Sequence, residues 1–375
     1  MADKKVLLWP SARSRYLKHE HMQIIQYALY VLVAVMVLQN YYLYAFMYGV
    51  KLLLMVLVSI LVTKEVEILF YTHDKDISRA EAKELIVKSY PVITAMIYAL
   101  MIPVGTPLWL VALGAGLATL LGKLLFGGFH HMVFHSSLVG VIVVTLGWAQ
   151  IVDGVAFMTS FDNYILELLF DNPFFNDTLA IGGIYDPASH VTALGMLQDG
   201  VTHTGVFQTS FGSYLSLEHY PMIEMMLGVV PGIIGSGLVM LGMLLYFSIK
   251  KIINWVLPLT MIVAFLLTAF VATLIQGEDL YMPLYHLFAG SFLFVVLFVT
   301  SDPITTPIPL YGKIVFGVIA GAVTYFIRIA GTHEEGVLFA TLFMMMLTPM
   351  LNEIFKEKKK VVKKPTAPKK AGAEA

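Results

Sequence analysis

Apolar runs dominate this chain, and they come at lengths set by a bilayer. Ten segments are long enough to span or half-span hydrocarbon: residues 22–37, 46–62, 92–102, 108–125, 132–152, 225–249, 256–275, 283–299, 314–329 and 337–351. A helix needs about 20 apolar residues to cross. The third segment, bounded by Pro91 and Pro103, falls short and predicts a half-helix or a buried one. Gly140 and Gly147 interrupt the fifth, and Pro231-Gly-Ile-Ile-Gly235 and Pro258 loosen later ones. Between the second and third, residues 78–88 alternate as a short amphipathic helix. Ser78 sits at its N-cap with Glu81 three positions on, the spacing of a capping box.

The polar positions orient these spans. No lysine or arginine occurs from residue 124 to 249, and alternate connections are also bare of base. Arg13, Arg15 and Lys18 precede the first span, Lys64 to Lys88 follow the second, and Lys123, Lys250, Lys251 and Lys313 follow later even-numbered ones. Basic residues stay on the cytoplasmic side, so both termini are expected there. The basic-free stretch 153–224 becomes one long extracytoplasmic loop. Lys51 and Arg328 are the basic residues placed near the outer face. Lys51 is expected to snorkel to the interface, and Arg328 to pair with Glu335 or Glu334.

The expected fold class is therefore an all-α polytopic membrane protein of about ten transmembrane helices, some broken or short. Its parts are a cytoplasmic segment 1–21, helices 1–5 over 22–152, the extracytoplasmic region 153–224, helices 6–10 over 225–354, and a basic, disordered cytoplasmic tail 355–375. Composition agrees: 58% of residues are hydrophobic, 13% are charged, and mean hydropathy is +0.79. Soluble domains average about 25% charged residues. The chain has no cysteine, which excludes disulfides and thiolate-held metal or iron–sulfur centres. Nothing in it reads as a nucleic-acid surface, and the basic tail suits anionic lipid.

Three places carry candidate chemistry. Gly127-Gly-Phe-His-His-Met-Val-Phe-His135 opens the fifth span. Two glycines ahead of a helix predict close backbone approach and free N–H groups for an anion or cofactor. His131 and His135, four apart, are expected to share a helix face, a spacing that also suits a metal or haem edge. Ser301-Asp-Pro-Ile-Thr-Thr-Pro-Ile-Pro309 reads as a rigid turn or as one wall of a pocket, with Asp302 bonding backbone amides. Asp199-Gly-Val-Thr-His-Thr-Gly205 lies on the long loop and, as bare chemistry, is a turn.

Segments in order along nearly the whole chain resemble a known family. They are Tyr90-Pro-Val-Ile-Thr-Ala-Met-Ile-Tyr-Ala-Leu-Met-Ile-Pro103, Gly122-Lys-Leu-Leu-Phe-Gly-Gly-Phe-His-His-Met-Val-Phe134, Leu227-Gly-Val-Val-Pro-Gly-Ile-Ile-Gly235, His286-Leu-Phe-Ala-Gly290, Thr300-Ser-Asp-Pro-Ile-Thr-Thr-Pro307, Tyr311-Gly-Lys-Ile-Val-Phe-Gly317 and Ile327-Arg-Ile-Ala-Gly-Thr-His-Glu-Glu-Gly336. The family they resemble is RnfD/NqrB. RnfD is a component of Rnf-type electron-transport complexes, and NqrB is its counterpart in the sodium-translocating NADH:quinone reductase.

The resemblance implies ten spans, an FMN esterified to a threonine of the outer loop, and electron relay coupled to Na+ or H+ movement. It also implies integral and peripheral partner subunits in a bacterial cytoplasmic membrane. Asp199 and Thr202 match the attachment motif, but Gly205 stands where the flavin-bearing threonine is expected. Glycine has no hydroxyl to esterify. Covalent attachment is therefore not expected at this position; Thr204, then Thr202, would be the alternative acceptors. Otherwise FMN or riboflavin would be held non-covalently near Gly127, Gly128, His131, Ser301, Asp302 and Thr306. Two rivals differ in class: a flavin-depleted membrane scaffold, and a secondary transporter resting on the broken helices alone.

Overall fold

The computed structural model describes residues 19–43, 46–104, 106–148, 237–277, 280–331 and 335–356, together with Met226. The long loop, with Asp199, Thr202, Thr204 and Gly205, lies outside the described residues, as do Glu334 and the basic tail.

The described residues are helical, with no strand among them. In the first half, α1 (His19–Leu43) and α2 (Phe46–Asp74) are followed by the short α3 (Arg79–Val87), α4 (Pro91–Leu100), α5 (Leu108–Thr119) and α6 (Ser136–Gly147). The second half holds α7 (Gly237–Ile249), α8 (Val256–Gln276), α9 (Met282–Phe288), the single turn α10 (Phe292–Phe294), α11 (Leu310–Ala330) and α12 (Gly336–Ile354). Two π-helical turns extend helices: Leu120–Leu124 after α5 and Val295–Val299 after α10.

Four described helices are long and apolar enough to cross a membrane: Glu20–Leu38, Val256–Gln276, Leu310–Ala330 and Gly336–Ile354. The pair Met282–Phe288 and Phe292–Val299, bent by 62°, makes a fifth if taken as one span. The segment 283–299, read from sequence as continuous, is thus broken. Gly290 at φ 67 sits in the break, a backbone conformation that glycine adopts without strain. The short third span is α4, and its residues Ile93 to Leu100 are buried throughout. The cap on α3 is as expected: the Ser78 side chain accepts from the Glu81 amide, and Glu81 accepts from the Ser78 amide at 2.9 Å.

The surface is apolar as well as the core, unlike that of a soluble bundle, and several polar groups are buried. Leu53, Leu57 and Leu61 of α2, and Leu259, Val263 and Leu267 of α8, face outward. Polar groups, including Lys51, Ser59, Thr63, Glu67, Lys123 and Arg328, are buried. Water would not tolerate that exposed leucine belt, but lipid does. Between helices, small residues allow close approach. On α11, a Cβ at Gly321 would lie 2.4 Å from the Met261 carbonyl oxygen, so α11 meets the α8 backbone directly. In the first half α2 packs on α1, α4 and α5; in the second, α11 packs on α8 and α12; α12 reaches across to α6.

Candidate functional site

The two halves meet at a cleft. Its walls come from the connection leading into α6, where Phe129, Met132, His135 and Ser136 line it, and from the connection after the second π-turn, where Ser301, Asp302 and Pro303 do. Apolar side chains of α1, α4, α7 and the π-turn close the remaining sides. The interior is narrow, about 50 Å³, and opens to a mouth; with the open solvent the whole cleft encloses about 570 Å³.

Each polar wall follows from a helix end. The first π-turn tightens against α6: a Cβ at Gly122 would lie 2.5 Å from the Ser136 Cα. The chain then turns at Gly127 (φ 100) and Gly128 (φ 99), both in the region that favours glycine. Their amides donate to the carbonyl oxygens of Leu124 and Lys123, both at 3.0 Å. The glycines therefore terminate a helix, and their N–H groups are not free for an anion as the spacing had predicted. Residues Phe129–His131 form a single 3-10 turn, and His135 is extended at the N-cap of α6. No helix spans 131 to 135, so these histidines do not share a helix face. The local turn overrides the i, i+4 pattern because Met132, at ψ 131, is not helical.

The second wall is a rigid turn and a pocket wall at once. The Asp302 carboxylate accepts from the Ile304 amide and the Thr305 hydroxyl, both at 3.1 Å. The Thr306 hydroxyl donates to the Asp302 carbonyl at 2.6 Å, and the Ser301 hydroxyl donates to the Val296 carbonyl at 3.2 Å. Thr348 of α12 bonds the Thr305 carbonyl at 3.1 Å. Burial pushes the Asp302 carboxyl up to about 6, against the lowering effect of the Ile304 and Thr305 bonds. Of the residues proposed from sequence, Ser301 and Asp302 face the cleft; Gly127, Gly128, His131 and Thr306 stand behind it on the same two connections.

Two buried cations, Lys51 and Arg328, are held differently from the sequence expectation or only partly as expected. Lys51 is 2% exposed and does not snorkel to a surface. Arg328 feels the charge of Glu335, one of its two expected partners, but makes no direct ion pair among the described residues: its Nη1 donates to the His286 carbonyl at 2.5 Å and its Nη2 to that of Ala289 at 3.1 Å. Glu335 instead accepts from the Ser291 amide, at 3.0 and 3.1 Å, and from the Ser291 hydroxyl at 2.5 Å. Breaking the helix between α9 and α10 frees these backbone groups, and they satisfy both charges.

A third charged group was missed altogether. Lys123, read as an interfacial base, is fully buried, and its Nζ lies 2.5 Å from Glu67 Oε1 and 2.6 Å from the Ser89 carbonyl. The second span had been ended at residue 62, which left Glu67 in a connection; α2 continues to Asp74. The signal was available in the four-residue spacing of Ser59, Thr63 and Glu67.

A chain with an outward leucine belt, buried polar groups and helices broken about a central cleft is an all-helical polytopic membrane protein. It belongs to the NQR2, RnfD, RnfE family, whose model matches residues 13–360. Relatives include the D subunit of the ion-translocating oxidoreductase complex of Haemophilus influenzae (strain 86-028NP), 26% identical over 279 residues, covering 69% of this chain and 74% of that protein. The protein of the same name from Klebsiella pneumoniae (strain 342) is 27% identical over 268 residues with the same coverage, and that of Escherichia fergusonii is 27% identical over 270.

Proposed function

We propose that this chain is a membrane component of an ion-coupled electron-transport complex in a bacterial cytoplasmic membrane, with both termini cytoplasmic. It holds flavin non-covalently at the cleft between the two halves and contributes to ion movement. Partner subunits supply the primary oxidation, since a chain with no cysteine and no dinucleotide fingerprint has no evident means of taking electrons from a nicotinamide.

One observation carries the cofactor reading: both connections singled out for flavin converge on one cleft with apolar side walls. The residues suit a flavin ring better than a phosphate. Phe298 and Leu297 offer an apolar surface, and the His135 Nδ1, buried and without a hydrogen-bond partner, offers a polar atom to a ring edge. A phosphate would meet the Asp302 carboxylate, while the Gly127 and Gly128 amides are already bonded. The 50 Å³ interior is smaller than the roughly 300–1,000 Å³ of ordinary ligand sites, so a ring would lie across the mouth. A flavin there would accept and pass on electrons singly or in pairs. Phe298 and His135 would hold the ring, the first through apolar contact and the second through its unpartnered Nδ1, and the apolar walls would keep water out.

Gly205, in place of the threonine that bears flavin in the family motif, favours the scaffold reading as the alternative. One measurement separates them. The full chain, purified with its partners, is denatured, and flavin is assayed in the supernatant and in the gel band. Flavin in the supernatant with a dark band supports the proposal. A fluorescent band abolished by Thr204→Ala would restore covalent attachment. No flavin in either fraction would overturn the cofactor reading in favour of the scaffold.

A further inference from the structure

The inner face of α2 carries a polar row. Ser59, Thr63 and Glu67 recur every four residues, so they stand above one another on one side of the helix. They are 0%, 1% and 0% exposed. Each has a buried oxygen with no hydrogen-bond partner: Ser59 Oγ, Thr63 Oγ1 and Glu67 Oε2. Many helical hydroxyls of this chain donate to the carbonyl four residues back, as Thr72 does to Ile68 (2.7 Å), Thr119 to Ala115 (2.8 Å), Ser248 to Leu244 (2.7 Å), Thr268 to Ala264 (2.8 Å) and Thr324 to Ala320 (2.6 Å). Thr273 and Thr341 are also buried without a partner, but neither has another such group one turn away, whereas the three groups on α2 follow one another turn by turn. Ser59 and Thr63 forgo that bond. A buried oxygen left unpaired costs about 1–3 kcal/mol, and the usual remedy is ordered water.

The spacing suits water. Residues four apart on a helix rise about 6 Å, and two consecutive hydrogen bonds through one water span about 5.6 Å. That distance would let one water bridge Ser59 to Thr63 and another bridge Thr63 to Glu67. The two ends of the row differ in exposure. One turn past Glu67, half-buried Tyr71 lies near both Glu67 and Ser89, and exposed Lys75 stands over its ring at 5.0 Å. At the other end, one turn before Ser59, Met55 is fully buried and apolar. Around Glu67 the ionisable groups are Lys123, on its other oxygen, and Tyr71; His130 and His135 lie beyond Lys123.

We infer that Ser59, Thr63 and Glu67 line a single file of water through which protons exchange between the Tyr71 end of α2 and Ser59, deep in the membrane, closed at Met55. Each hydroxyl passes one proton to one water and takes one from the other, so every proton that moves inward is matched by one that moves outward and the file keeps its charge. The Glu67–Lys123 pair sits at the mouth of the file and holds the carboxylate in place. The purpose of such a route rests on the ion-coupled reading above, but its existence does not, and it is measured on the isolated full chain.

The absence of cysteine makes the test direct. In Ser59→Cys the chain carries one thiol, whose S–H band reports exchange when the purified protein in liposomes is moved into D2O. Thr63→Val removes a hydroxyl with no protein partner, so the fold should survive, checked by thermal unfolding. The thiol in Ser59→Cys should exchange at least about tenfold faster than the thiol of Ala99→Cys, which is also fully buried. Adding Thr63→Val to Ser59→Cys should remove that advantage, and adding Thr72→Val should not. Exchange in Ser59→Cys as slow as in Ala99→Cys, or indifferent to Thr63→Val, overturns the inference. So does exchange that stops when Na+ is added at constant pH, which would make the row a metal-cation site. None of these outcomes bears on whether flavin or partner subunits are present.

Discussion

Lys123 and Arg328 are both hidden from the surface, one in each half of the molecule, and each lies near aromatic rings. Lys123 is 5.3 Å from the Phe129 ring centre; Arg328 lies 5.3 and 5.8 Å from those of Phe265 and Phe292. Their oxygens come from different sources. Lys123 sits at the end of a helix that winds into a π-turn without breaking, and it takes a carboxylate, Glu67, with the Ser89 carbonyl. Arg328 faces a helix that does break, and it takes the two carbonyls which the break sets free. A cation in an apolar setting needs acceptor oxygens, and a second charge is only one way to provide them. Where backbone is already unpaired, the guanidinium's planar fork collects it, and the carboxylate is left to cap the other side of the break.

That contrast predicts different costs. Lys123→Met leaves the Glu67 carboxylate buried and unpaired, so about 3–5 kcal/mol of stability should be lost, and Glu67→Gln in the same chain should recover much of it. Thermal unfolding in detergent, run as a double-mutant cycle, measures this; additive losses would show that the pair is not coupled. Arg328→Lys keeps the charge but cannot reach both carbonyls in one plane, and the expected loss is smaller, about 1.5–3 kcal/mol. Glu335→Gln should change that loss only modestly, because Arg328 and Glu335 bond different backbone groups and interact through charge alone; coupling as large as that of a hydrogen-bonded pair would refute the assignment.

The smallest effect lies at the cleft. Burial raises the Asp302 carboxyl to about 6, so the protonated form is favoured in the fold. A group raised in this way contributes stability that is complete below its unfolded value, 3.8, and lost as pH rises through about 6. Asp302→Asn keeps an acceptor for the Ile304 amide and carries no charge. It should melt with the unsubstituted chain near pH 4 and above it at pH 8, by about 1–2 kcal/mol after allowance for partial exposure. Equal melting at both pH values would show that Asp302 does not titrate in this window.

Much of this could be read along the chain. The short fourth helix followed from Pro91 and Pro103, and the cap on α3 from Ser78 and Glu81, because both depend on neighbours within one turn. The rigidity of the 301–309 connection followed in the same way from Asp302 and Pro303. The roles of Lys123, Lys51 and Arg328 did not follow. Each was assigned to a membrane surface by a rule about charge, whereas the partners that hold Lys123 and Arg328 in the interior lie 34 to 56 residues away.

What the sequence determined by itself is the solvent: a hydrophobic fraction of 58% and a charged fraction of 13% make a helical membrane protein the available solution, since backbone in hydrocarbon must bond within its own segment. It determined too that Gly205 carries no ester, because the side chain it would need is absent. Only the tertiary structure decided where the helices break, which glycine amides are already taken, and that connections more than 160 residues apart close on one cleft. Those outcomes depend on which unpaired oxygens and amides meet across the bundle, and a linear pattern of polar and apolar residues does not record that.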